Sequence, residues 1–279
     1  MKRKIGLIGL GNIGGFYTDR LLAAGYPLTV LDTDKTKQQT ATEKGANGAA
    51  DPAEVAQNSD IVILSLPNSE IVEEVMAGQN GVLSALKEGQ LVIDTSTCRP
   101  GTAVKCQKWC AEKNAGFIDS PLSWRAKGQI LMVGGDEKDF RNAEEILACI
   151  SYKYRLVGPI GAGQYLKMIN QAILANMLAV NAEATELTKK CGMDPKLLRE
   201  YLEFDIPEVL YTENYTGGGQ LALHYKDLGY LNEIAHDVEA NIPISALVHE
   251  IFKATKVSGE PNWIQAGIQT YYKCLNNGE

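Results

Sequence analysis

The feature that most constrains this chain is a glycine turn near its start. An apolar run, Lys4-Ile5-Gly6-Leu7-Ile8-Gly9-Leu10, passes through Gly9-x-Gly11-x-x-Gly14 into an amphipathic stretch that stops at Gly25. Strand, glycine turn and helix in that order form a unit whose turn backbone can approach a ligand closely. The first glycine permits the tight turn, the second lets a pyrophosphate meet the backbone, and the third packs helix on strand. The N–H groups of Asn12, Ile13 and Gly14 open the helix without intrahelical partners, and with the helix dipole they favour an anion. The turn therefore predicts a bound dinucleotide.

The segments that follow repeat the alternation. Residues 27–32 (PLTVLD), 60–66 (DIVILSL), 90–96 (QLVIDTS) and 115–121 (AGFIDSP) are short apolar runs bounded by turn residues, and they read as buried strands. ILMVGG at 130–135 and YRLVG at 154–158 extend the same sheet. Strands alternating with helices imply βαβ crossovers and a largely parallel, doubly wound α/β sheet.

The pattern changes after Gly163. Residues 164 to 190 contain neither proline nor glycine, and apolar residues recur at three- and four-residue intervals. Such a helix, about 164–191, spans on the order of 40 Å, long enough to link two domains. Lys189 and Lys190 suit its C-terminal dipole, Gly192 its cap, and Asp194-Pro195 the start of another helix. The remainder reads as helices only. The expected domains are residues 1–163 and an all-α unit of residues 164–279.

Composition narrows the function classes. A net charge of −7 over 279 residues argues against a nucleic-acid partner. No apolar run approaches the roughly 20 residues needed to cross a bilayer. Basic Lys2-Arg3-Lys4 before an apolar run resembles a signal peptide, but the glycines belong to the turn and no A-x-A site follows. A cytoplasmic protein is expected. The six cysteines are scattered, and Cys106 and Cys110 lack two further ligands nearby, so free thiols are expected rather than a metal site.

At the end of the second strand the chain reads Val30-Leu31-Asp32. A carboxylate there accepts ribose hydroxyls and repels a 2′-phosphate, so NAD is expected over NADP. Lys35 and Lys37 nearby fit a solvated helix start equally well.

Four segments, in order, resemble the β-hydroxyacid dehydrogenase family, the group of 3-hydroxyisobutyrate dehydrogenase and tartronate semialdehyde reductase. They are IGLIGLGNIGG at 5–15, DTSTCRPGT at 94–102, DSPLSWRAKGQILMVGG at 119–135 and GAGQYLKMINQ at 161–171. Lys226-Asp227-Leu228 resembles a fifth family segment. The resemblance implies an N-terminal Rossmann domain, a helical C-terminal domain, and an active site in the cleft between them. It implies that Leu66, Pro67 and Thr97 line the nicotinamide half of the cofactor site and that Lys226 closes over the cofactor. Ser123 then holds the substrate carboxylate and Lys167 is the catalytic lysine. A homodimer or homotetramer is also implied.

The chemistry independently calls for such a lysine. Oxidising a hydroxyl by hydride transfer needs an accompanying proton loss, and reduction needs the reverse. A lysine partly buried beside a nicotinamide cation can be lowered towards neutrality and serve in both directions.

The chain departs from the family pattern on the substrate side. The family's D-x-P-V-S-G-G loop is Asp119-Ser120-Pro121-Leu122-Ser123-Trp124-Arg125 here, so Trp124 and Arg125 replace both glycines. Arg125 either recognises an acid group bidentately or turns towards solvent or cofactor phosphate. Where the family has two asparagines this chain has Asn170 and Gln171, expected to position the substrate. His224 reads as a satisfied structural residue; Trp109, Tyr271 and Tyr272 read as core or interface residues. The expected function is an NAD-dependent oxidoreductase of a small β-hydroxy acid or its semialdehyde. Alternatives are an imine or ketone reductase on the same scaffold, or a non-catalytic NAD(H)-binding sensor.

Overall fold

The computed structural model describes residues 2–277. The chain divides into two compact units, Met1–Lys167 and Met168–Glu279.

Among the described residues the first unit is built on nine strands: β1 (Ile5–Ile8), β2 (Leu28–Leu31), β3 (Asn47–Gly48), β4 (Ile61–Leu64), β5 (Leu91–Asp94), β6 (Gly116–Asp119), β7 (Leu122–Arg125), β8 (Gly128–Gly134) and β9 (Lys153–Gly158). They form one sheet in the order β3-β2-β1-β4-β5-β6-β8-β7, with β9 also pairing with β8. The pairs from β3 through β6 are parallel, as is β8 with β9, whereas β8 runs antiparallel to β6 and β7. Its helices are α1 (Asn12–Ala23), α2 (Lys35–Glu43), α3 (Pro52–Gln57), α4 (Ser69–Ala77), α5 (Val82–Ala85), α6 (Pro100–Ala111) and α7 (Glu137–Ile150).

Both faces of the sheet are covered, and the strand sequences show why. Side chains alternate across a strand, so Ile61 and Ile63 of β4 enter one core with Leu7, Val30 and Ile93. Val62 and Leu64 of the same strand enter the opposite core with Ile8, Val92 and Phe117. A strand buried on both faces must be apolar throughout, hence the unbroken runs. Cutting one of these fully buried side chains to alanine costs about 2–5 kcal/mol.

The doubly wound α/β fold is as expected, with two strands beyond the sequence pattern. β3 has only two residues, too short for any periodicity. β7 stands where the sequence indicates a loop. Its residues Leu122, Ser123, Trp124 and Arg125 pair antiparallel with Leu131, Ile130, Gln129 and Gly128.

Helix α8 (Ala162–Lys190) runs through the boundary between the units. Two residues past its end stands Gly192, whose φ of +73° suits glycine and whose N–H donates to the Lys189 carbonyl at 2.9 Å. The next helix begins later than Asp194-Pro195. That dipeptide forms a turn, with Asp194 Oδ1 accepting the Lys196 N–H at 2.9 Å, and α9 (Leu197–Glu200) follows. The second unit continues with α10 (Val209–Thr212), α11 (Leu221–Asp237), α12 (Pro243–Ser258) and α13 (Gln269–Asn277). Its core contains Met168, Ala175, Leu228, Phe252 and Tyr272, with Tyr271 packed at its edge. Trp109 packs at the edge of one first-unit core. No helix among the described residues is long and apolar enough to cross a membrane.

Candidate functional site

In the first unit β1 lies between β2 and β4, so the chain order reverses beside it. Ligands of open α/β sheets bind outside the carboxyl ends of strands at such a switch point. Gly9, Gly11, Asn12, Ile13, Gly14, Asp32, Leu66, Pro67 and Thr97 all follow the carboxyl ends of β1, β2, β4 and β5.

The three glycines have three separate steric reasons. Gly9 has φ +93°, and a Cβ there would lie 2.2 Å from the Ser65 carbonyl oxygen. A Cβ at Gly14 would lie 1.9 Å from the Gly9 carbonyl oxygen, so only glycine lets α1 seat on β1. A Cβ at Gly11 meets nothing within 4 Å. Gly11 thus leaves open space above the helix N-terminus, the opening a pyrophosphate requires.

Asp32 braces this turn. Its Oδ2 accepts the Leu10 N–H at 2.6 Å and its Oδ1 accepts the Asp34 N–H at 2.7 Å. Each oxygen has a second lone pair for a ribose hydroxyl. The residues of the turn and Asp32 therefore fit a dinucleotide. Beside them, the Leu66 N–H donates to Ser96 Oγ at 2.9 Å, joining the loops that carry Leu66-Pro67 and Thr97.

Lys167 lies on the second turn of α8 and is 8% exposed. The first turn is anchored by a carboxylate from β6. Asp119 Oδ1 accepts the Gly161 N–H at 2.6 Å, and Oδ2 accepts the Gln164 N–H at 2.9 Å. A strand carboxylate thus caps helix donors that have no intrahelical partner. Gln164, fully buried, accepts the Cys98 N–H at 3.0 Å and donates to the Ser96 carbonyl at 2.9 Å.

Asp119 is the register partner of Asp94 on β5, and both carboxylates are fully buried. Burial pushes Asp94 up to about 7, against the pull of its hydrogen bonds at Ser96. Burial also raises Asp119 to about 6, while the Gly161 and Gln164 N–H groups pull it back.

On β7, Ser123 and Arg125 are two residues apart and share a face. Arg125 Nη1 donates to Ser123 Oγ at 2.6 Å and to the Trp124 carbonyl at 2.9 Å. Trp124 is 53% exposed and meets Phe16 of α1 edge-on, with ring centroids 5.3 Å apart.

In the second unit Asp227 links the residues marked by sequence. Asn170 Nδ2 donates to Gln171 Oε1 at 3.1 Å, and Gln171 Nε2 donates to Asp227 Oδ2 at 2.7 Å. Lys226 pairs with Asp227 Oδ1 at 3.2 Å and lies 5.1 Å over the Tyr230 ring. His224 is buried and its Nε2 sits 3.0 Å from the Gln171 carbonyl oxygen.

Three polar residues at these sites escaped the sequence reading: Asp119, Gln164 and Asp227. Asp119 and Asp227 stood in motifs without a role. Gln164 carried no signal beyond its place three residues before Lys167.

Family models match nearly the whole chain. Residues 4–158 match the NAD binding domain of 6-phosphogluconate dehydrogenase, and residues 161–271 match the NAD-binding domain of NADP-dependent 3-hydroxyisobutyrate dehydrogenase. The chain belongs to the β-hydroxyacid dehydrogenase family. The mitochondrial 3-hydroxyisobutyrate dehydrogenase of Mus musculus is 34% identical over 90% of this chain and 82% of its own length. The 2-(hydroxymethyl)glutarate dehydrogenase of Eubacterium barkeri is 32% identical over 92% of this chain and 90% of its own. The fold matches that of Mycobacterium tuberculosis 3-hydroxyisobutyrate dehydrogenase with L-serine, at TM-score 0.87 and 24% identity, covering 97% of this chain and 99% of that one. As a member of this β-hydroxyacid dehydrogenase family, the protein is an NAD(P)-dependent oxidoreductase.

Proposed function

We propose that the protein oxidises a small β-hydroxy acid, or reduces its semialdehyde, with NAD as the preferred cofactor. Residues 1–163 serve the cofactor through Gly9, Gly11, Asn12, Ile13, Gly14, Asp32, Leu66, Pro67 and Thr97. Residues 164–279 contribute Asn170 and Gln171 towards the substrate and Lys226 towards the cofactor. When bound, the nicotinamide supplies the hydride acceptor or donor.

Lys167 takes the hydroxyl proton during oxidation and returns it to the carbonyl oxygen during reduction. Ser123 donates its hydroxyl to the substrate acid group, and Arg125 beside it adds positive charge at that position. Trp124 supplies an apolar wall. Asp32 favours NAD because its carboxylate would face a 2′-phosphate.

Two features of the first unit carry this reading. Gly11 opens the space a pyrophosphate needs, and Gln164 fastens the helix of Lys167 to the loop of Thr97. A screen of C3–C5 hydroxy acids, with carboxylate, sulfonate and phosphate forms and NAD and NADP in parallel, tests it. NAD-dependent oxidation of at least one acid is expected. Tight NADH binding with no turnover across the panel would instead favour a sensor.

Exposed Trp124, in place of a glycine, favours a second reading, reduction of an imine or a larger ketone. Cyclic imines added to the screen decide between the two. We further propose a cytoplasmic homodimer or homotetramer that covers the exposed Ile169, Ile173, Met177 and Val180 of α8. Light scattering on the purified protein tests the assembly.

A further inference from the structure

We propose that Gln164, with the first turn of its helix held by Asp119, positions Lys167 for proton transfer. The inference rests on the reading of Lys167 as the proton-transfer group.

A fully buried glutamine beside an apolar sheet is costly unless both ends of its amide are satisfied. Here they are, and by backbone groups on either side of Thr97. The Cys98 N–H donates to Oε1 and Nε2 donates to the Ser96 carbonyl. One hydrogen bond would leave α8 free to turn about its axis, whereas two to the same short loop oppose both rotation and sliding. Asp119 completes the restraint through the Gly161 and Gln164 N–H groups.

The Gln164 side chain is thus held by the loop after β5, and the Gln164 backbone by Asp119 at the end of β6. Lys167 follows by three residues, so it shares a helix face with Gln164. Sliding a helix by one residue moves every side chain about 1.5 Å. A misplacement of about 1 Å costs on the order of 100-fold in a reaction that depends on alignment. The loop held by Gln164 is the one bearing Thr97, assigned above to the nicotinamide half. The same amide therefore sets the acid/base helix and the cofactor loop in a single register. Gln164 is a positioning residue and touches no reacting atom in this scheme.

The test uses Gln164→Ala and Gln164→Met, each made in the parent enzyme and in a Lys167→Ala background. Methionine keeps most of the volume and removes both hydrogen bonds, which separates anchoring from packing. The readouts are kcat, the Kd for NADH by fluorescence, Tm, and amide hydrogen exchange over residues 162–168 in the cofactor-free protein. Both variants should lose about 10- to 100-fold in kcat while the NADH Kd stays within about twofold. Exchange in the first turn of α8 should accelerate, and the Lys167→Ala background should lose nothing further.

A Gln164→Met enzyme with parental kcat beside an inactive Lys167→Ala overturns this inference alone. So does an equal further loss in the Lys167→Ala background, which marks a general structural role. A fully active Lys167→Ala enzyme overturns the reading of Lys167 itself.

Discussion

The glycine turn at Gly9–Gly14 and the β7 strand at Ser123–Arg125 belong to the same unit, yet opposite demands shape them. In the turn, Gly9 and Gly14 are required because a Cβ would strike backbone oxygens at 2.2 and 1.9 Å. In β7, Trp124 and Arg125 stand on a segment that is extended and paired with β8. Extended backbone accepts Trp and Arg without strain. The glycine turn is thus constrained by its own backbone, while the paired strand β7 accepts side chains of any size.

The largest expected effect separates the glycines from one another. Gly14→Val should abolish NADH binding, with a loss of 100-fold or more, and lower Tm by about 10 °C, because α1 cannot seat. Gly11→Ala, with open space around the added methyl, should keep Tm within about 2 °C and weaken NADH about tenfold. Titration and thermal melts check both. Equal damage from the two substitutions would break the distinction between a packing glycine and a ligand glycine.

A smaller effect is expected on the other side of the comparison. Arg125→Gly should raise KM for the acid substrate about tenfold and leave kcat and the NADH Kd within about twofold. Steady-state kinetics on the best acid from the screen reads this directly. An unchanged KM would show that Arg125 serves the hydrogen bond to Ser123 without reading the substrate.

The smallest effect concerns the buried carboxylates Asp94 and Asp119. Burial holds Asp94 up at about 7, above its value in the unfolded chain. Its protonated form therefore stabilises the fold at low pH, and this contribution is lost as the pH rises through about 7. The parent Tm should fall between about pH 5 and pH 8, and Asp94→Asn should make that fall shallower by a few degrees. Parallel curves for the two proteins would place the carboxylate's titration outside this range.

The sequence made much of this legible, for identifiable physical reasons. Buried parallel strands are apolar on both faces, so β1, β2, β4, β5 and β6 stand out as runs. The helix around Lys167 is marked by the absence of breakers and by Gly192. β7 was invisible because Leu-Ser-Trp-Arg is too short for periodicity and follows a proline. Asp119 and Gln164 were illegible for another reason: each acts on backbone groups far along the chain, 45 and 68 residues away. No local pattern encodes such a partner. Gln171 shows the same limit, since its amide meets Asp227 from 56 residues away.

The central claim is that Lys167, on a helix fastened to the cofactor loop, moves the proton that accompanies hydride transfer. Single-turnover oxidation by Lys167→Ala, with NADH affinity measured on the same sample, tests it most directly. The account predicts a loss of about 100-fold or more in the chemical step with NADH affinity retained. Unchanged turnover would contradict it.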